Sequence, residues 1–180
     1  LIAKLIAGYG RKLSGSRSEL KNRSGYGTLH SVMLQPGEAR SSQERNNTVM
    51  ENDEAQPTVM IVEDDPAIRR LYSFLLSNSG YEVLEAEDGQ VALERYDEQP
   101  CHLIITDMNM PRMGGMDLVR ELREKGSPVY VIMVTAYGTP DTEKMAFRLG
   151  ANEYIAKPFD FEELEGRVRA YFEERGIEIP

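Results

Sequence analysis

From Thr58 to the end of the chain, hydrophobic and polar positions follow two alternating periods. Short apolar runs rich in β-branched residues are separated by longer segments whose apolar residues recur every three or four positions. The first run is TVMIV at 58–62, followed by EDDPAIRRLYSFLLSNSG. In that segment Ile68, Leu71, Tyr72, Leu75 and Leu76 fall on one helical face, and Gly80 closes the helix. YEVLEA alternates as a strand does, and DGQVALERYDE returns to helical spacing. CHLIIT and PVYVIMVT read as buried strands, and EYIA as a short one. GMDLVRELREKG and PDTEKMAFRLG read as helices stopped at Gly126 and Gly150. DFEELEGRVRAYFEERG is a last helix with Phe161, Leu164, Val168 and Tyr171 on one face. Strand and helix alternate five times, which predicts a doubly wound α/β fold with a five-stranded parallel sheet covered on both faces. Right-handed crossovers leave few topologies for such a chain. In such a sheet, chemistry gathers outside the carboxyl ends of the strands.

Residues 1–57 show neither period. They are rich in Gly, Ser, Arg and Asn, as in GYGRKLSGSRSELKNRSGYG, with scattered apolar residues. That composition cannot bury enough surface to offset the entropy of ordering, so 1–57 is expected to be a disordered extension or linker. Residues 58–180 are expected to be the folded domain, with Met50 a candidate true start of the protein.

Charge sharpens the division. The chain carries a net −9, yet residues 1–57 hold eight Lys/Arg against six Asp/Glu, and 58–180 hold thirteen against twenty-four. A surface that acidic repels phosphate backbones, so the folded part is not expected to grip nucleic acid by itself. One cysteine, Cys101, excludes an internal disulfide and suits a reducing compartment. Two histidines, His30 and His102, make a His-based zinc site improbable. No apolar run approaches the roughly 20 residues that span a bilayer, and LIAKLIAG lacks a signal-peptide pattern. A cytoplasmic protein without a membrane partner is expected.

The residues that end the strands are reactive ones. The first strand delivers Glu63, Asp64 and Asp65, the third Asp107, the fourth Thr135 and the fifth Lys157. The second, at the sheet margin, ends in Glu87 and Asp88. Each has a plainer explanation alone. Asp65 before Pro66 makes a good helix N-cap, Thr135 is a common strand residue, and Lys157 could be a solvated loop lysine. Their joint placement at one rim is what marks a site. Clustered carboxylates cannot all stay ionised without a cation among them. Oxygen ligands with no His or Cys select a hard ion, Mg2+ before zinc. Such a site suits phosphoryl transfer, with Asp107 the candidate nucleophile and Lys157 and Thr135 stabilising phosphoryl oxygens.

The motifs VEDD, DMNMPRMGG, TA and KPF follow the first, third, fourth and fifth strands. In order and spacing they resemble the receiver domains of two-component response regulators, over residues 58–180. The resemblance implies the flavodoxin-like strand order 2-1-3-4-5. It also implies that Asp107 accepts a phosphoryl group from a histidine kinase or phosphotransfer protein. Asp65 would bind magnesium directly, Asp64 through water, and Asn109 through its carbonyl, with Asp107 completing the set. Thr135 and Tyr154 would form a switch reading out to the fourth helix, fifth strand and fifth helix, a surface also implied for a homodimer. The Lys157–Pro158 peptide would be cis. One departure is Gly114, where the family commonly has an acid, which is expected to loosen the loop. Tyr137, two after Thr135, and Asn109 stand at positions that tune phosphate lifetime.

Two rivals remain. A haloacid-dehalogenase-type phosphatase also uses Asp, Mg2+, Thr and Lys, but its nucleophile follows the first strand and begins a D-x-D pair. Here position 109 is Asn. A docking-only receiver-like module would be expected to lack one of the key residues, and none is missing. A phosphorylated signalling module is therefore expected, with no enzymatic turnover beyond its own phosphorylation and dephosphorylation.

Overall fold

Val59, Met60, Ile61 and Val62 are each shielded almost completely from solvent, as a strand covered on both faces requires. The computed structural model describes residues 56–179. All of the expected extension except its last two residues therefore lies outside the described part. In chain order the elements are β1 (Thr58–Val62), α1 (Pro66–Asn78), β2 (Glu82–Ala86), α2 (Gly89–Glu98) and β3 (Leu103–Asp107). They continue with α3 (Gly115–Glu124), β4 (Tyr130–Thr135), α4 (Pro140–Leu149), β5 (Glu153–Ala156) and α5 (Phe161–Glu173). The strands form one parallel sheet in the order β2-β1-β3-β4-β5, the flavodoxin-like doubly wound arrangement.

Residues along each strand alternate between the two faces. Met60, Val62, Ile104, Val131 and Met133 enter a core closed by Ala92 and Leu93 of α2, Leu118, Val119 and Leu122 of α3, and Ala146 of α4. The opposite face is covered by α1 and α5, where Phe172 packs its ring 5.5 Å from that of Tyr81. Phe172, not Tyr171, is the fully buried aromatic of α5; Tyr171 is half-buried and donates its hydroxyl to the His102 carbonyl at 2.9 Å. The third strand starts at Leu103, so Cys101 and His102 precede it. No helix among the described residues is long and apolar enough to cross a membrane.

Strand register decides what meets at the carboxyl edge. Asp107 pairs with Val134, one residue short of Thr135, and Thr135 pairs with Ala156, one residue short of Lys157. Three reactive residues from distant parts of the chain thus emerge at nearly the same height. Their backbones are held by side chains each contributing roughly 1.5–3 kcal/mol through burial, so the rim rests on a firm base.

Candidate functional site

Strand β3 carries Asp107 out of the core and into a tight turn. Asp107 Oδ1 accepts from the Asn109 N–H at 2.9 Å, and Oδ2 accepts from Lys157 Nζ at 2.6 Å. The same ammonium donates to Glu63 Oε2 at 3.1 Å. Lys157 is positioned by its own backbone, whose N–H donates to the Thr135 carbonyl at 2.7 Å, and its peptide to Pro158 is cis. All three side chains are largely buried, with side-chain exposures of 6% for Glu63 and 11% for both Asp107 and Lys157. Two acids share one base in a largely buried place.

Electrostatics follow from that crowding. Burial pushes the Glu63 carboxyl above its ordinary value, Lys157 opposes the shift, and Asp107 adds to it. Burial alone would lower the Lys157 ammonium, but its bond to Asp107 and the charges of Glu63 and Asp107 raise it instead. Tyr72, stacked on Phe159 with ring centroids 6.2 Å apart, senses the same charges. Its phenol is pushed up to about 12, chiefly by burial.

Thr135 is fully buried, and its Oγ1 accepts from the Tyr137 N–H at 3.1 Å. No other hydrogen bond is formed at that oxygen among the described residues, so its proton remains available. Tyr137 itself is 75% exposed at the mouth of the site. Tyr154 lies half-buried on β5, its hydroxyl 2.9 Å from Thr142 Oγ1. Thr142 also closes the capping box of α4 with Thr139, so Tyr154 is tied to the start of that helix.

The acidic run VEDD divides differently from the sequence expectation. Asp65, assigned there to direct magnesium binding, turns its Oδ1 to the N–H groups of Ala67 and Ile68, at 2.7 and 3.2 Å. It is the N-cap of α1, with Pro66 at the first helical position. Glu63, by contrast, stands beside Asp107 and Lys157, anchored by its N–H on the Ala86 carbonyl. Asp64 is exposed and makes no hydrogen bond or ion pair within the described residues. Sequence reading placed Glu63 at the rim without a role; the signal that would have found it is the cap pattern of Asp65-Pro66, which leaves the two preceding acids for the site.

Among the described residues, no three His, Cys, Asp or Glu side chains are gathered into a metal cage. The donor chemistry nevertheless suits magnesium, which keeps several waters and binds through one or two carboxylates plus phosphate oxygens. Carboxylate and carbonyl oxygens are the groups on offer here, and Lys157 bridges the acids between which a cation would otherwise be needed.

A family model for the response regulator receiver domain matches residues 59–169. The chain belongs to the response regulator receiver family. It is 38% identical over 120 residues to a probable transcriptional regulator, ycf27, of Galdieria sulphuraria, covering 67% of this chain and 47% of that protein. It is 35% identical to the sensory transduction protein RegX3 of Mycobacterium bovis, covering 66% of this chain and 52% of that one. The receiver thus spans about half the length of these curated relatives. Among solved structures it is similar to the chemotaxis protein CheY4 of Vibrio cholerae, with a TM-score of 0.62 and 31% identity. That match covers 65% of this chain and 99% of that one. The receiver domain of Francisella response regulator 1452 matches with a TM-score of 0.64 and 26% identity, over 66% of this chain and 98% of that one.

Proposed function

We propose that this receiver accepts a phosphoryl group on Asp107 from a histidine kinase or phosphotransfer protein, within residues 58–180. The observation that carries this reading is the Lys157 ammonium bridging Asp107 and Glu63 at the carboxyl edge, at 2.6 and 3.1 Å. A carboxylate oxygen of Asp107 attacks phosphorus. The phosphorus–nitrogen bond of the donor phosphohistidine breaks, its electron pair returns to the imidazole, and an acyl phosphate remains on Asp107. Lys157 then exchanges a carboxylate partner for a phosphoryl oxygen, keeping its charge matched throughout. Thr135 donates its spare hydroxyl proton to a second oxygen. The Asn109 N–H keeps the carboxylate oriented during approach of the donor.

Magnesium suits this reading as the partner of Asp64, Asp107 and the Asn109 carbonyl, with Asp64 in the place that sequence assigned to Asp65 and Glu63, paired with Lys157, in the water-bridged place assigned to Asp64. When bound it neutralises charge on the transferring phosphoryl group. Tyr137, exposed beside Thr135, is placed to limit access of hydrolytic water. The protein acts as a stoichiometric acceptor, not as a phosphatase, because position 109 offers an amide and no second acid.

Output would pass from Thr135 to Tyr154. Drawing Thr135 towards a phosphoryl group removes its bond from Tyr137 and shifts the loop that leads to α4. Tyr154, joined to Thr142 and packed near Gly138, feels that shift directly. The surface of α4, β5 and α5, where Met145 and Phe147 of α4 are about half exposed, would then pair with a second copy or a target. Incubation with acetyl phosphate and Mg2+ should add one phosphoryl group, about 80 Da, to the peptide containing Asp107. Uptake by Asp107→Asn at the wild-type rate would overturn the assignment.

A further inference from the structure

The loop between β3 and α3 holds the backbone that meets Asp107, and it departs from the expected sequence at Gly114. That residue is the N-cap of α3 and provides no side-chain cap. A Cβ there would stand 2.7 Å from the Met108 carbonyl oxygen, so a side chain at 114 would require this path of the loop to shift. Two residues earlier, Arg112 is the only non-glycine residue among those described with positive φ, at 64°. Its guanidinium Nη2 reaches across to the loop between β2 and α2, donating to Glu87 Oε1 at 2.5 Å and pairing with Asp88 Oδ2.

Asp88 makes this contact consequential. Its side chain is fully buried, and its Oδ1 caps α2 by accepting from the Val91 N–H at 3.0 Å. Its Oδ2 has no hydrogen bond of good geometry among the described residues, so the charge of Arg112 is what balances that oxygen. A buried carboxylate deprived of its partner is costly, which gives a half-exposed arginine more grip than a surface ion pair has. The Gly89 N–H adds a second tie, donating to the Met113 carbonyl at 3.0 Å. A Cβ on Gly89 would come within 2.7 Å of Met113, so the two loops touch.

We propose that Arg112 is a positioning residue for phosphoryl acceptance. By clamping the β3–α3 loop onto Asp88 it fixes the Asn109 backbone against the Asp107 carboxylate. The expected loosening of the loop at Gly114 is thereby offset from a neighbouring loop. This inference rests on the reading of Asp107 as acceptor, but its primary test does not.

The test is amide hydrogen exchange at Asn109 and Gly115 in the full chain, for wild type, Arg112→Ala, Arg112→Lys and Glu87→Gln. The Asn109 and Gly115 amides report the loop because they donate to Asp107 Oδ1 and to the Met108 carbonyl. Arg112→Ala should speed exchange at both by about tenfold while core amides of β1 and β4 stay protected. Arg112→Lys should restore most of the protection, because a single nitrogen makes both contacts. Glu87→Gln should change little, since the buried partner is Asp88. Unchanged exchange in Arg112→Ala, or a loss that Arg112→Lys fails to rescue, would overturn the proposal. Phosphoryl uptake is read in parallel. Wild type that takes none would refute the acceptor reading alone, whereas normal exchange and uptake in Arg112→Ala would refute the clamp alone.

Discussion

Two cations hold the two ends of the sheet, and burial acts on both in the same direction. At the amino edge, Arg123 at the end of α3 donates to the carbonyls of Ser127, Val129 and Gly150 and to Asn152 Oδ1, at 2.8–3.2 Å. None of these acceptors is charged, so burial wins and the guanidinium is pulled below its ordinary value. At the carboxyl edge, Lys157 is also pulled down by burial, yet Asp107 and Glu63 more than reverse it. The arginine fork spans four acceptors, gathers the C-cap of α4 and the start of β5, and has nothing to exchange. The lysine is a point charge between two anions, one of them, on the proposed function, replaceable by a phosphoryl oxygen. One edge is a fastening and the other a site.

Substitution of the two cations separates these roles most strongly. Lys157→Met leaves Glu63 and Asp107 facing each other largely buried and should cost on the order of 3 kcal/mol at neutral pH. Acidification that protonates Glu63 should recover much of that loss. Arg123→Ala should cost about 2 kcal/mol with little dependence on pH, because it strands carbonyls and no charge. Arg123→Lys should rescue it poorly, since one ammonium cannot reach four acceptors. Urea unfolding at several pH values checks all three; matching pH profiles for the lysine and arginine variants would erase the distinction.

A smaller effect is expected from Glu63. Its carboxyl is raised from 4.5 in the fold, so the native state holds the proton more tightly than the unfolded chain. Stability therefore falls as pH rises from about 4.5 through the raised value. Glu63→Gln should flatten that part of the curve, leaving stability at pH 4 nearly unchanged. A variant curve parallel to that of wild type would mean that Glu63 is not under electrostatic stress.

Asp107 and Thr135 are legible in the sequence because each ends an apolar run that reads as a buried strand, and Lys157 because it directly follows the short strand EYIA. The alternation of periods also carries the sheet, and the motifs carry its strand order. Within VEDD the structure separates acids that the sequence sets side by side. Three consecutive acids give no period to separate them; the cap pattern of Asp65-Pro66 sets Asp65 apart, and the fold brings Glu63 to the lysine. The ties of Arg123 to Gly150 and of Arg112 to Asp88 join residues 27 and 24 positions apart across separate elements. No local pattern announces such a pair, because long flexible cations are equally at home in water.

The most direct test is amide NMR of the full chain with Mg2+, with and without beryllofluoride as a mimic of the aspartyl phosphate. The account predicts large shifts at Asp107, Thr135, Tyr137, Tyr154 and Lys157, while Arg123, Gly150 and Asn152 remain in place. Shifts confined to Asp64 and Asp107 with Tyr154 and Lys157 unmoved, or shifts of equal size at both edges, would contradict it.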